Sequence, residues 1–180
     1  MTPPRLFHVS EDAGIARFDP RPSPSTDAGV IGTAVWALSE PFLPNYLLPR
    51  DCPRVCFRAK DATTEADRER FLAGADHVVA FEAGWLERVR AARLAVYEMP
   101  PDTFVDALLE AGYWISRESV VPIRVTMVED ALSALTATGA EVRGAAGLLA
   151  ALRRGGAIEP ALLDHPQAER GAPKGLGASA

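Results

Sequence analysis

His8 lies in the apolar run Leu6-Phe7-His8-Val9 and is followed by Ser10. A histidine inside a buried strand must hydrogen-bond something or it costs free energy. Its plain role is a core imidazole bonded to a backbone carbonyl; its functional role is a ring nitrogen that donates to a ligand hydroxyl. Arginines crowd the first third of the chain, at Arg5, Arg17, Arg21, Arg50 and Arg54. Arg17 and Arg21 bracket Phe18-Asp19-Pro20. A guanidinium on a proline-stiffened loop suits a pyrophosphate or a carboxylate, because its fork pairs two oxygens at once. Taken singly, each arginine is more simply read as solvated and paired with Asp19 or Glu11; the set is harder to dismiss in that way. Glu118 follows the aromatic segment Tyr113-Trp114-Ile115-Ser116. A carboxylate held at a sheet edge can orient a hydroxyl or stabilise a cationic transition state. The plain alternative is an exposed strand-end glutamate paired with Arg117 or Arg124.

Other constellations are missing. No serine sits in G-x-S-x-G, and His8, His77 and His165 are far apart without metal spacing. Neither G-x-G-x-x-G nor G-x-x-x-x-G-K-[ST] occurs, so no Gly-rich phosphate loop is expected. Cys52 and Cys56 form a C-x3-C pair with no histidine nearby, too few ligands for zinc. They read as two small apolar core residues, and no metal is expected.

The elements that must position these residues are short. Residues 5–9 read as a buried first strand, and Ser10-Glu11-Asp12 as the cap of a helical turn through Ile15. The prolines from Phe18 to Ser25 exclude helix and central strand, so a long irregular loop extends to about Gly32. Further strands are expected at Ala34–Leu38, Arg54–Phe57, His77–Phe81, Leu94–Met99 and Tyr113–Ser116. A strand through Val121, Ile123, Val125 and Met127 should bury that alternating apolar set. Helices are expected from Ser39 with Phe42, Leu43, Tyr46 and Leu47 inward, over 63–74, around Trp85–Val89, from Asp102 to near Gly112, from Glu129 to Gly139, and over Leu148–Leu152. His77, at the start of its strand, should be half exposed. Strands outnumber long helices and lack a βαβ rhythm. The expectation is therefore α+β: a mixed or mainly antiparallel sheet, either single or split in two, with short peripheral helices. Residues 1–154 form one domain in this reading, and 155–180, rich in Gly, Ala and Pro, a flexible tail.

With 180 residues the chain can bury one substantial core. The formal net charge is -5, which argues against a nucleic-acid or anionic-membrane binder. Residues 1–60 hold 6 acidic and 7 basic side chains against 12 and 6 in residues 61–118, so an anionic ligand should meet the N-terminal third. No apolar run is long enough to span a bilayer and the first residues lack a signal peptide's apolar core, which suggests a cytoplasmic protein.

The block L-F-H-V-S-E-D-x-G-I-x-x-F-x-P-R-x-S-P, then V-W-A-L, then L-P-N-Y-L-L-P-R-D-C-P-R-V-C-F, resembles a small family of bacterial proteins of unknown function (DUF6886) from Leu6 to about Arg143. More distantly, the order of elements resembles the ADP-ribosyltransferase-like fold. Members often open on a strand reading L-Y-H-G-T or similar, carry an aromatic or hydroxyl residue on a second strand, and a glutamate on a late one. Leu6-Phe7-His8-Val9-Ser10 stands at the first motif and Val35-Trp36-Ala37 at the second, where tyrosine or serine is more usual; Glu118 is the candidate for the third. The resemblance implies NAD as substrate: His8, with Ser10, at the ribose hydroxyls, Trp36 or Tyr46 stacked on nicotinamide, Arg17 or Arg21 on the pyrophosphate, and Glu118 stabilising an oxocarbenium-like sugar. Two other readings compete. One is a non-catalytic module that binds a nucleotide or another small molecule. The other is an interaction domain that docks a partner through Phe42–Leu48.

Overall fold

Short β-branched and aromatic runs punctuated by glycine and proline dictate a strand-rich chain. The computed structural model describes residues 3–23 and 29–147. Ten strands are present there: β1 (Leu6–Ser10), β2 (Arg21–Pro22), β3 (Thr33–Ser39), β4 (Arg54–Arg58), β5 (His77–Glu82), β6 (Leu94–Met99), β7 (Phe104–Leu108), β8 (Tyr113–Ser116), β9 (Arg124–Val128) and β10 (Glu141–Ala145). The α-helices are short: α1 (Glu65–Asp67), α2 (Leu86–Ala91) and α3 (Ala131–Ala137). The larger sheet runs β7-β8-β3-β1-β6-β9, with β2 paired to the start of β3, and every pairing in it is antiparallel. The smaller runs β10-β5-β4, with β10 parallel to β5. The expected α+β architecture, mainly antiparallel and in two sheets, is what forms. Among the described residues no helix is long and apolar enough to cross a membrane.

Register assigns the two faces of the larger sheet. Phe7 lies opposite Leu38 and Glu98, and His8 opposite Tyr97. Directly opposed residues share a face. Leu6, His8, Val35, Ala37 and Tyr97 therefore share one face, and Phe7, Val9, Trp36 and Leu38 the other. The first face is covered by Phe18 and Val120. The second packs against Val79 and Phe81 of the smaller sheet and against Leu48, Val89 and Leu135.

One irregularity in the pairing matters for function. β1 pairs with β6 along all five residues but with β3 only at Leu6–Phe7. Beyond Phe7 the two strands part, and β2 takes up the far end of β3 instead. His8 is the first residue past the point of separation.

Several expected elements differ. Residues Ser10–Ile15 form no helical turn; the Ser10 and Asp12 side chains capture the amides of Asp12 and Gly14, at 3.1 and 2.8 Å, and fold the chain back instead. The segment from Ser39 is a 3₁₀ helix, Glu40–Tyr46, because Pro44 has no N–H to return to Glu40. Leu47 and Leu48 are buried in the core while Phe42 and Tyr46 are half-buried, so only part of this segment is withdrawn from the docking role one reading gave it. Phe104–Leu108 is strand β7 rather than helix; Phe104 and Leu108 fit either period, and pairing with β8 decides it. His77 is buried, not half exposed, with Nε2 2.7 Å from Asn45 Oδ1. Val121, Ile123, Val125 and Met127 are exposed rather than buried. The helix expected at 148–152 and the tail from 155 lie outside the described residues.

Candidate functional site at the parting of β1 and β3

The His8 Nδ1 lies 2.9 Å from the Trp36 carbonyl oxygen. A carbonyl can only accept, so Nδ1 carries a proton and donates it. Burial pushes the imidazole below its usual pKa; the hydrogen bond to Trp36 opposes that, and the charges of Arg50 and Arg21 add to the downward push. The ring is consequently neutral at pH 7 and Nε2 holds a lone pair. Nε2 has no hydrogen-bond partner among the described residues. The sequence reading expected a donor at this position, whereas the backbone of β3 makes it an acceptor, suited to a hydroxyl and not to an anion.

An aromatic cover lies over this ring. Phe18 sits 4.8 Å from the His8 ring, tilted by 55°, and 5.0 Å from Tyr97, edge-on. Paired backbone hydrogen bonds to Val120, both 2.8 Å, fix Phe18. Tyr97 ties the approach to it: its hydroxyl donates to Asp12 O at 2.7 Å and accepts the Ile15 amide at 3.0 Å. Nothing in the run Leu94–Met99 singles Tyr97 out, and only its register opposite His8 reveals the role. Tyr97→Phe should leave both backbone groups without a partner and cost about 2 kcal/mol. A urea titration measures the loss, and amide exchange at Ile15 and Phe18 should accelerate with it; unchanged exchange would show that the cover stands without the tyrosine.

Other sequence-nominated residues divide into two groups. The backbone around Glu118 is tied to the segment that carries the cover. The Phe18–Val120 bridge and the Ser119 hydroxyl, donating to Asp19 Oδ1 at 2.6 Å, join residues 118–120 to the cover. Ser116 Oγ accepts the Glu118 amide at 3.1 Å and so sets the chain direction there. The Glu118 carboxylate is exposed and has no partner among the described residues. Arg117 is spent on Thr33 O at 2.7 Å and Arg124 on Glu98, so neither neutralises it. Ser10 shares the face of His8, its Oγ accepting the Asp12 amide. Arg21, on β2, makes no salt bridge among the described residues.

Arg17, by contrast, pairs with Asp19 at 2.9 Å, the plain alternative for that residue. The Ser119 hydrogen bond first, and Arg17 second, hold the Asp19 carboxyl below its usual range. Trp36 and Tyr46 are on the opposite face from His8, both edge-on to Tyr113 at 5.7 and 6.4 Å. The Tyr46 and Tyr113 hydroxyls share a hydrogen bond, and burial first, then Tyr113, pushes the Tyr46 pKa well up. Trp36 meets His8 through its carbonyl, not its ring. Cys52 and Cys56 are free thiols, pushed up by burial to about 11 and about 12, and so are poor nucleophiles. No metal-ligating cluster is present among the described residues.

Fold and site together define an α+β protein of two mainly antiparallel sheets with a neutral, half-buried histidine where its first strand leaves its neighbour. The chain belongs to a family of unknown function (DUF6886), whose profile matches residues 7–154. No curated protein and no solved structure matches it significantly.

Proposed function

We propose that this is an ADP-ribosyltransferase-like protein that binds NAD where β1 parts from β3. The observation that carries the reading is the state of His8: a neutral ring locked by the Trp36 carbonyl, with Nε2 left as an acceptor. A ribose hydroxyl is the complementary donor. Adjacency supports it as well, because β1, β3 and β8, the strand that Glu118 follows by two residues, are consecutive neighbours in the sheet. In this reading His8 accepts from a ribose hydroxyl with Ser10 beside it, and Arg21 and Arg50 supply positive charge for the pyrophosphate. Glu118 faces the sugar as the C–N bond to nicotinamide breaks, the bonding pair leaving on the nicotinamide nitrogen. An acceptor nucleophile then captures the sugar and loses its proton. Arg17, neutralised by Asp19, and the rings of Trp36 and Tyr46 are left out of the contact set.

Calorimetric titration with NAD tests this. His8→Ala should bind at least about tenfold more weakly, the equivalent of one lost hydrogen bond; equal affinity in the mutant would sink the reading. The pH dependence has a definite sign. The folded-state pKa of His8 lies below the unfolded value of about 6.5. Stability from the neutral ring is therefore complete above that value and is lost as pH falls toward the folded pKa. Affinity for NAD should hold through that window, where the folded ring stays neutral, and fall as pH drops through the folded pKa, where protonation turns Nε2 from acceptor to donor.

A second reading is binding without cleavage. It is favoured by the Glu118 carboxylate, which nothing among the described residues holds in place. It expects NAD affinity with no free nicotinamide produced, and measurable nicotinamide release eliminates it.

A further inference from the structure

Six large hydrophobic side chains stand strongly exposed among the described residues, and four fall on one stretch: Val121 (62%), Ile123 (64%), Val125 (43%) and Met127 (45%). Val125 and Met127 alternate within β9 and so project from one face, while Val121 and Ile123 lie on the approach to it. The stretch runs into β9, which ends the larger sheet; its outer edge pairs with no strand among the described residues. Natural edge strands are usually blunted by lysine, proline, a bulge or an inward charge. β9 reads Arg124-Val125-Thr126-Met127-Val128 and has one charge, on Arg124, which is turned back onto Glu98 of the neighbouring strand. Within β9 itself the edge has no lysine, no proline and no inward charge, the nearest proline being Pro122, two residues before it.

We propose that β9 pairs antiparallel with the β9 of a second copy of this chain, about a two-fold axis beside Val125 and normal to the sheet. The residues around that axis are self-complementary. Val125 meets its symmetry mate, Ile123 lies opposite Met127, and Arg124 lies opposite Thr126. The apolar side chains of both copies join in one stripe on one face, and no like charges oppose each other. Neighbouring registers are worse. An axis at Arg124 sets two guanidinium groups against each other; one at Thr126 brings Glu129 opposite Ile123, whereas about Val125 Glu129 meets only Val121, three residues before β9 begins. A closed, isologous contact of this kind gives a dimer rather than a fibre, with the larger sheet continuous through both copies.

Sedimentation of the full chain should show a dimer, and Val125→Lys, which opposes two ammonium groups at the axis, should shift it to monomer with an unchanged circular dichroism spectrum. A covalent test fixes the register and does not depend on tolerance of lysine. Opposed residues in an antiparallel pair have Cα atoms about 4.5–5.5 Å apart, within disulfide range. Val125→Cys should therefore give a disulfide-linked dimer on mild oxidation at least about tenfold faster than Thr126→Cys, which faces Arg124. The native thiols of Cys52 and Cys56 have pKa values of about 11 and 12, leaving little thiolate to compete. A monomeric wild type overturns the proposal, whatever else covers the edge. So does a dimer that Val125→Lys leaves intact, or equal cross-linking of the two cysteine variants.

Discussion

Gly112→Val should destabilise the protein by about 2–5 kcal/mol, a large share of the roughly 5–15 kcal/mol that holds a domain together. Gly112 stands at a φ of +72, where a side chain is strained, at about 1–2 kcal/mol. A Cβ there would also lie 2.2 Å from Phe42 Cδ2 and 2.5 Å from its Cγ. These are atoms near the root of the ring, which cannot swing clear without moving the 3₁₀ helix that carries Phe42. The guanidinium of Arg58 also sits over the same ring at 5.0 Å. Overpacking of this kind costs about 1–3 kcal/mol more. The Gly112 carbonyl accepts the Ser39 amide at 2.9 Å, so displacement would propagate into the end of β3. Urea unfolding of wild type, Gly112→Ala and Gly112→Val measures the effect, with alanine close to the lower part of the range and valine at or above its middle. A loss under about 1 kcal/mol for valine would mean that Phe42 yields far more readily than this packing implies.

Sequence patterning carries information about faces only where an element has cover on one side. β1, β3, β5 and β6 were legible because their apolar runs are buried between the sheets or under the Phe18 cover, so composition and burial agree. β9 shows the same alternation of Val125 and Met127 with polar residues, and the alternation does form a strand. What alternation cannot state is whether anything lies over the apolar face, and here nothing among the described residues does. β7 was misread for a related reason: Phe104, Val105, Leu108 and Leu109 satisfy a helical period, and the competing β8 partner lies in a segment of different sequence character. His8 was legible as a candidate because a histidine in an apolar strand demands a partner. Its protonation state was not, since that depends on a carbonyl 28 residues away that becomes its neighbour only through the parting of β1 and β3. The same applies to Trp36 and Tyr46: their types suit a stacking role, and strand register alone puts their rings on the face away from His8.

Arg54 gives the second large effect, and it corrects the grouping of the early arginines as anion-binding. Its guanidinium donates to four backbone carbonyls: Nε to Cys52 at 3.1 Å, Nη1 to Asn45 at 3.0 Å, and Nη2 to Pro49 at 2.6 Å and Arg50 at 2.9 Å. These carbonyls belong to a turn rich in proline, whose missing amides leave few backbone partners, so one side chain does the work of a secondary-structure ladder. Arg54→Ala should cost about 3–5 kcal/mol, less than four independent charge-assisted bonds because their losses overlap. Arg54→Lys should recover less than half of that, since an ammonium cannot reach four acceptors spread around a planar fork. The turn positions two groups that matter elsewhere. Asn45 holds His77 in the core, and Arg50, whose amide binds Glu11 at 2.8 Å, supplies part of the positive charge felt by His8. Arg54→Lys should thus loosen residues 45–52 in amide exchange and, on the proposed NAD-binding reading, weaken that binding with it. A lysine variant as stable as wild type would show that charge at this position suffices and that the fork is not what organises the turn.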